Sequence, residues 1–140
     1  MSQKKWEHYS HPADMGIRGF GQSREEAFCQ AALAMTAVIT APENIEPKEK
    51  VKIECEEADE EMLFVAWLNA LLFEMATRNM LFCRFEVAIA DNKLQSVVWG
   101  EEINRNKHNP VVEVKAATYA DLKVRQNKDG LWIAQCVVDV

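Results

Sequence analysis

The apolar positions of this chain follow two different periods. From Phe28 through Ala31, Ala32 and Met35 to Ile39 they repeat at helical spacing, which predicts a helix packed by one face. Ser23 followed by Glu26 makes a capping box at its start, and Pro42 closes the segment. A second helix is predicted to start at Asp59, with Glu60 and Glu61 near the positive end of its dipole, and to run to about Arg78 with Asn79 as its stop. It is apolar nearly all round, through Met62, Leu63, Val65, Trp67, Leu68, Leu71 and Phe73. Such a helix belongs at the centre of a domain, covered on more than one side.

Elsewhere the pattern alternates. MGIRGFG from Met15, VKIECE from Val51, FEVAIA from Phe85 and LQSVVWGE from Leu94 read as strands, the last two joined by a short turn at Asp91-Asn92-Lys93. VVEVKAATYADLKVRQN reads as one long strand with a bend near Tyr119 to Asp121. Lys128-Asp129-Gly130 then turns the chain into a last strand, LWIAQCVVDV. Pro42 to Pro47 and Asn104 to Pro110 read as loops, the second too charged and irregular to bury. The order of elements predicts an α+β fold, with two helices packed on a mostly antiparallel, multi-stranded sheet.

Composition narrows this further. A length of 140 residues with 49% apolar content suits one domain, taken as residues 1–140. MSQKKWEHYSH turns polar at once, so no export signal is expected and a cytoplasmic protein is. The apolar run from Met62 to Ala76 is interrupted by Asn69 and Glu74 and is too short to span a bilayer. A net charge of −6 argues against tight, direct binding of nucleic acid, which relies on Lys and Arg neutralising phosphates. The four cysteines, Cys29, Cys55, Cys83 and Cys136, are scattered among apolar neighbours without a C-x-x-C pair, and read as buried small hydrophobes in a reducing compartment.

Few residues carry chemistry. Asp14, between Pro12 and Gly16, reads either as a turn residue or as a ligand. The last strand reaches Val138-Asp139-Val140 with near-continuous apolar character, so Asp139 is expected to be held in place. If that strand lies beside the one from Met15, Asp14, Asp139 and main-chain oxygens converge, a donor set for Ca²⁺ or Mg²⁺ rather than zinc. His108 is a lone loop histidine, Lys115 an alternating-strand lysine and Glu101 a strand-end carboxylate. Each also has a bland reading as a solvated side chain. No phosphate loop, dinucleotide fingerprint or nucleophile elbow is present, and Gly16, Gly19 and Gly21 do not make one.

HPADMGIRGFG, SREEAFCQAALAMTAVI, ADEEMLFVAWLNALLFE, VVWGEEINRNKH, VEVKAATY and the closing VVDV, in this order, resemble the archease family over nearly the full length. The resemblance implies an accessory protein, not an enzyme. It would activate the tRNA-splicing RNA ligase, which joins tRNA halves and repairs broken RNA, by promoting the ligase's guanylylation and repeated turnover. It also implies a divalent metal held by Asp14, Asp139 and a main-chain oxygen of Val140, and a ligase-facing surface that includes Lys115, His108 and Glu101.

Three positions depart from the family pattern. Pro12 replaces a frequent Thr, Asn104 stands where an acidic residue is common, and Ala120 where many relatives have His. Two other functions compete: a metal-dependent hydrolase of small phosphoesters with His108 as proton shuttle, and an acidic, chaperone-like binding module.

Overall fold

The structure, a computed structural model, describes residues 5–12 and 14–140. Ala13, within the HPAD sequence, therefore lies outside the described residues. Strand β1 (Trp6–His11) pairs antiparallel with β2 (Asp14–Gly21), and α1 (Arg24–Ile39) follows. After a short 3₁₀ turn at Pro42–Asn44 come β3 (Glu49–Glu56), α2 (Glu60–Arg78), β4 (Met80–Ala90) and β5 (Lys93–Glu102). A one-turn helix α3 (Arg105–His108) leads to the short strands β6 (Ala116–Ala117) and β7 (Lys123–Gln126), and β8 (Trp132–Asp139) closes the order.

The strands form two antiparallel sheets rather than one. In the first, β2 is central between β1 and β8, while β6 and β7 share the far side of β8; the second has the order β3-β5-β4. Helices α1 and α2 each pack against strands of both sheets and so join them. This explains why α2 is apolar on several sides.

The helix ends are those the sequence predicts. Ser23 Oγ accepts from the Glu26 N–H, and an Asp59 carboxylate oxygen accepts from the Met62 N–H. Asn79 ends α2 in the left-handed conformation at φ 55°. The β4–β5 turn puts Asp91 and Asn92 at φ 51° and 65°, the backbone of a two-residue hairpin loop whose twist matches its strands.

The core centres on Trp67, which is fully buried. Its ring packs within 6.2 Å of Phe28 and 5.9 Å of Phe85, and its Nε1–H donates to Ser96 Oγ at 2.9 Å. Ser96 in turn donates to the Ile53 carbonyl. The exposed side of α2 carries Phe73, 65% accessible.

Two sequence-based expectations need correction. The long strand predicted from Val111 is broken: residues 111–115 lie outside the ladders, with Val111 72% exposed, and only β6 and β7 pair with β8. The bend expected near Tyr119 to Asp121 is present: Asp121 sits at φ 54°, and the Val137 N–H donates to the Ala120 carbonyl there. Pairing, not alternation, makes a strand. Conversely, β1 carries no clear strand signal in the sequence, because WEHYSH is polar at nearly every position and only half-buried.

The four cysteines are free; Cys136 is buried and the other three are half-buried. Burial pushes the Cys136 and Cys29 thiols up to about 12, which leaves both as inert, protonated groups. The glycines of β2 serve packing: a Cβ on Gly19 would collide with the backbone of Ala27 and Ala31 in α1, and one on Gly16 with the Tyr9 ring.

Candidate functional site

The site starts from strand register. On β2 and β8 the outermost paired residues are Met15 and Val138. One step further along the same antiparallel register stand Asp14 and Asp139. Residues at one level of adjacent strands share a face, with Cβ atoms about 4.5–5.5 Å apart. The same row continues on both sides, since Asp14 pairs with His11 of β1 and Asp139 with Ala116 of β6. The register therefore sets Asp14 and Asp139, residues from opposite ends of the sequence, at the same end of two neighbouring strands, with Val140 following.

Asp14 and Val140 also line a groove of about 570 Å³ at this end of the first sheet, together with His8, His11, Met15 and Val38. The His8 ring donates from Nε2 to the Ala34 carbonyl at 2.7 Å, which ties β1 to α1. His11 Nδ1 is buried in the same groove and has no hydrogen-bond partner among the described residues. On the other side, the Lys115 N–H donates to the Asp139 carbonyl at 2.7 Å. The Lys115 side chain is exposed.

Whether this donor set suits a divalent cation can be judged from its chemistry. Two carboxylates and a main-chain oxygen are hard donors of the kind Ca²⁺ and Mg²⁺ take, with water completing the shell. Among the described residues no cluster of three or more His, Cys, Asp or Glu side chains could hold a metal by itself, so a site here depends on main-chain and water oxygens. That composition disfavours zinc, which takes nitrogen and sulfur. The residues fit a hard cation.

His108 and Glu101 lie elsewhere, and their expected exposure on a partner-facing surface is corrected. His108 is 1% accessible and Glu101 6%. Glu101, near the end of β5, accepts from Lys107 Nζ at 2.7 Å, from the Glu46 N–H at 2.8 Å and from His108 Nε2 at 3.0 Å. His108 Nδ1 accepts from the Asn104 N–H at 2.9 Å, so the ring carries its proton on Nε2. Asn104 caps α3, its side-chain oxygen accepting from the Asn106 and Lys107 N–H groups. Thr40 Oγ1 donates to the His108 carbonyl. The Asn104–Pro110 segment stays largely exposed, as expected, and His108 alone of it turns into the interior, where it meets the Glu101 cluster. His108 is buried and does not line the groove at Asp14, so nothing in the fold favours the His108 step of the hydrolase reading.

This cluster predicts a pH dependence. The Lys107 hydrogen bond, with help from the Glu46 N–H and His108, holds the Glu101 carboxyl at about 2 against an ordinary 4.5. A lowered folded-state value adds stability above the unfolded value, and that stability is lost as pH falls from about 4.5 through about 2. Glu101→Gln should flatten the unfolding free energy across that acid window relative to the parent, as measured by denaturant titration at a series of pH values. Parallel curves for the two proteins would contradict the assignment.

Sequence reasoning missed the contribution of β1. Tyr9 lies over Gly16, and the Arg18 guanidinium stacks 4.4 Å from the Tyr9 ring centroid while donating to Gln135 at 2.7 Å. Burial and the nearby Asp121 push the Tyr9 hydroxyl up to about 12, so it remains a neutral phenol. The only signal in the sequence was Trp6, His8 and Ser10 alternating with Glu7, Tyr9 and His11, and it carries little hydrophobic contrast.

Comparison with known proteins decides the family. The model of the archease protein family (MTH1598/TM1083) matches residues 6–140. The chain belongs to the archease family. It is 43% identical over 141 residues to the archease of Pyrococcus abyssi, with 98% of this chain and 99% of that protein covered. The solution structure of Methanobacterium thermoautotrophicum protein 1598 superposes with a TM-score of 0.80 at 31% identity, covering 99% of this chain and 100% of that one. The crystal structure of a Thermotoga maritima archease, described as a possible chaperone, shares the fold at a TM-score of 0.61 and 19% identity, with 94% of each chain covered. The α+β fold expected for the family is the one observed. Among the described residues, no helix is long and apolar enough to cross a membrane.

Proposed function

We propose that this protein is an accessory factor that activates the tRNA-splicing and RNA-repair ligase, promoting its guanylylation and its multiple turnover. The observation that carries the reading is the register of β2 and β8, which sets Asp14 level with Asp139 beside Val140 in a chain of this family. Asp14, Asp139 and the Val140 main-chain oxygen would hold a divalent cation of the Ca²⁺ or Mg²⁺ type. When bound, such a cation supplies a hard positive charge that neutralises the paired carboxylates and offers open coordination positions to an anionic group.

The remainder of the reading rests on the chain's own residues. The exposure of Lys115, with its backbone pinned to Asp139, supports it as a partner contact. His108 and Glu101 act instead through the fold, by latching α3 and the strap that runs on to Lys115. The ligase carries the nucleotide chemistry, and this chain contributes a rigid, anionic recognition edge to a transient complex. Charge complementarity at such an edge mainly governs encounter and orientation.

A multiple-turnover RNA-joining assay with the cognate ligase tests this. Addition of the protein should convert a single burst of joining into sustained turnover and raise the fraction of guanylylated ligase. Labelled GTP should leave no covalent adduct on this chain. A ligase whose turnover is indifferent to the protein would defeat the reading.

A further inference from the structure

Asn69 is the one amide within the apolar run of α2. A half-buried carboxamide left without partners costs about 1–3 kcal/mol, so its bonds matter. Both go to a single residue of β6. Asn69 Nδ2 donates to the Ala117 carbonyl at 3.1 Å, and Asn69 Oδ1 accepts from the Ala117 N–H at 2.9 Å. Only this orientation of the amide satisfies both groups. A reciprocal pair of this kind is what a hydrogen-bonded residue on a neighbouring antiparallel strand would supply.

β6 needs that help. It is two residues long, and its ladder partner on one side is the last stretch of β8, through Ala116 with Asp139 and Ala117 with Val138. So short a strand has little stability of its own. Immediately before it, the Lys115 N–H holds the Asp139 carbonyl, and immediately after it the Thr118 N–H holds the Val137 carbonyl at 3.0 Å. Upstream, residues 111–114 make no ladder. The end of β8 is therefore braced from this side by a segment whose other edge is held by one side chain of α2.

We infer that Asn69 is a positioning residue for the Asp139 side of the site: its carboxamide substitutes for a missing strand, fixes β6 in register, and thereby holds Asp139 and Lys115 in their relative places. The inference rests on the cation reading for its functional meaning, but the ordering of β6 can be read without it. Asn69→Leu keeps the volume and removes both bonds. Asn69→Asp keeps the acceptor for the Ala117 N–H and turns a carboxylate oxygen toward the Ala117 carbonyl.

The test uses the full chain. Site-resolved amide exchange should show lost protection at Lys115 in both variants, although the Lys115 N–H bonds to Asp139 and not to Asn69, while the Leu94 and Val98 amides in β5 stay as protected as in the parent. Calorimetric titration with calcium alone should show affinity weakened about 10-fold or more, the usual effect of removing a group that orients a ligand. Unchanged protection at Lys115 would overturn the inference, as would a uniform loss that includes Leu94 and Val98, or calcium affinity that persists once Lys115 is unprotected. If the parent protein takes up no calcium, the cation reading fails, and protection at Lys115 alone decides whether Asn69 orders β6.

Discussion

Asp14→Asn and Asp139→Asn should each abolish stimulation of ligase turnover while leaving the protein folded. Each removes one anionic donor from a pair that the β2–β8 register sets level, and a hard cation loses most of its hold when half of its carboxylate charge is gone. Stability should change little: Asp139 is exposed, Asp14 is only half-buried, and substitutions of this kind typically fall within about ±0.5 kcal/mol. The measurements are bound metal by elemental analysis and ligase turnover, with the thermal transition as the control for folding. Full stimulation by both variants with unchanged metal content would remove the site; an intact fold with both properties lost would support it.

The largest effect on stability is expected at Trp67. Trp67→Ala should cost about 3–5 kcal/mol, a large share of the roughly 5–15 kcal/mol that holds a domain of this size together. The side chain is fully buried, packs against Phe28 of α1 and Phe85 of β4 and bonds to Ser96 of β5, so its loss leaves a cavity that no single helix movement can fill. Trp67→Phe should cost much less, because the ring volume is largely kept and Ser96 retains its bond to the Ile53 carbonyl. Denaturant unfolding separates the two. Equal losses for Ala and Phe would mean that the Nε1–H bond, rather than packing, dominates at this position.

What could be read in the sequence was mostly local. Both helices carry their own start and stop signals, in the Ser23 and Asp59 caps and the left-handed Asn79, and those groups bond to backbone only three or four residues away. The β4–β5 hairpin was legible for the same reason, since Asp91 and Asn92 tolerate the turn conformation it requires. Sheet membership was harder to read. A period of two marks residues that alternate between two environments, and Val112 and Val114 alternate with Glu113 in a strap that no strand accompanies, while β1 pairs through its backbone with little hydrophobic contrast in its side chains.

The candidate site divides along the same line. Sequence by itself determined that Asp14 and Asp139 were the carboxylates to watch, that both flank apolar strand-like runs, and that the chain resembles its family from HPADMGIRGFG to VVDV. Tertiary structure decided the rest: that β2 and β8 are direct neighbours, that His108 and Glu101 turn inward, and that Asn69 reaches across to β6. The physical reason is range. Caps and turns are settled by bonds within a few residues, whereas the pairing of β2 with β8 depends on closing nearly the whole chain, and only the shared burial of two sheets on two helices compensates that loss of chain entropy.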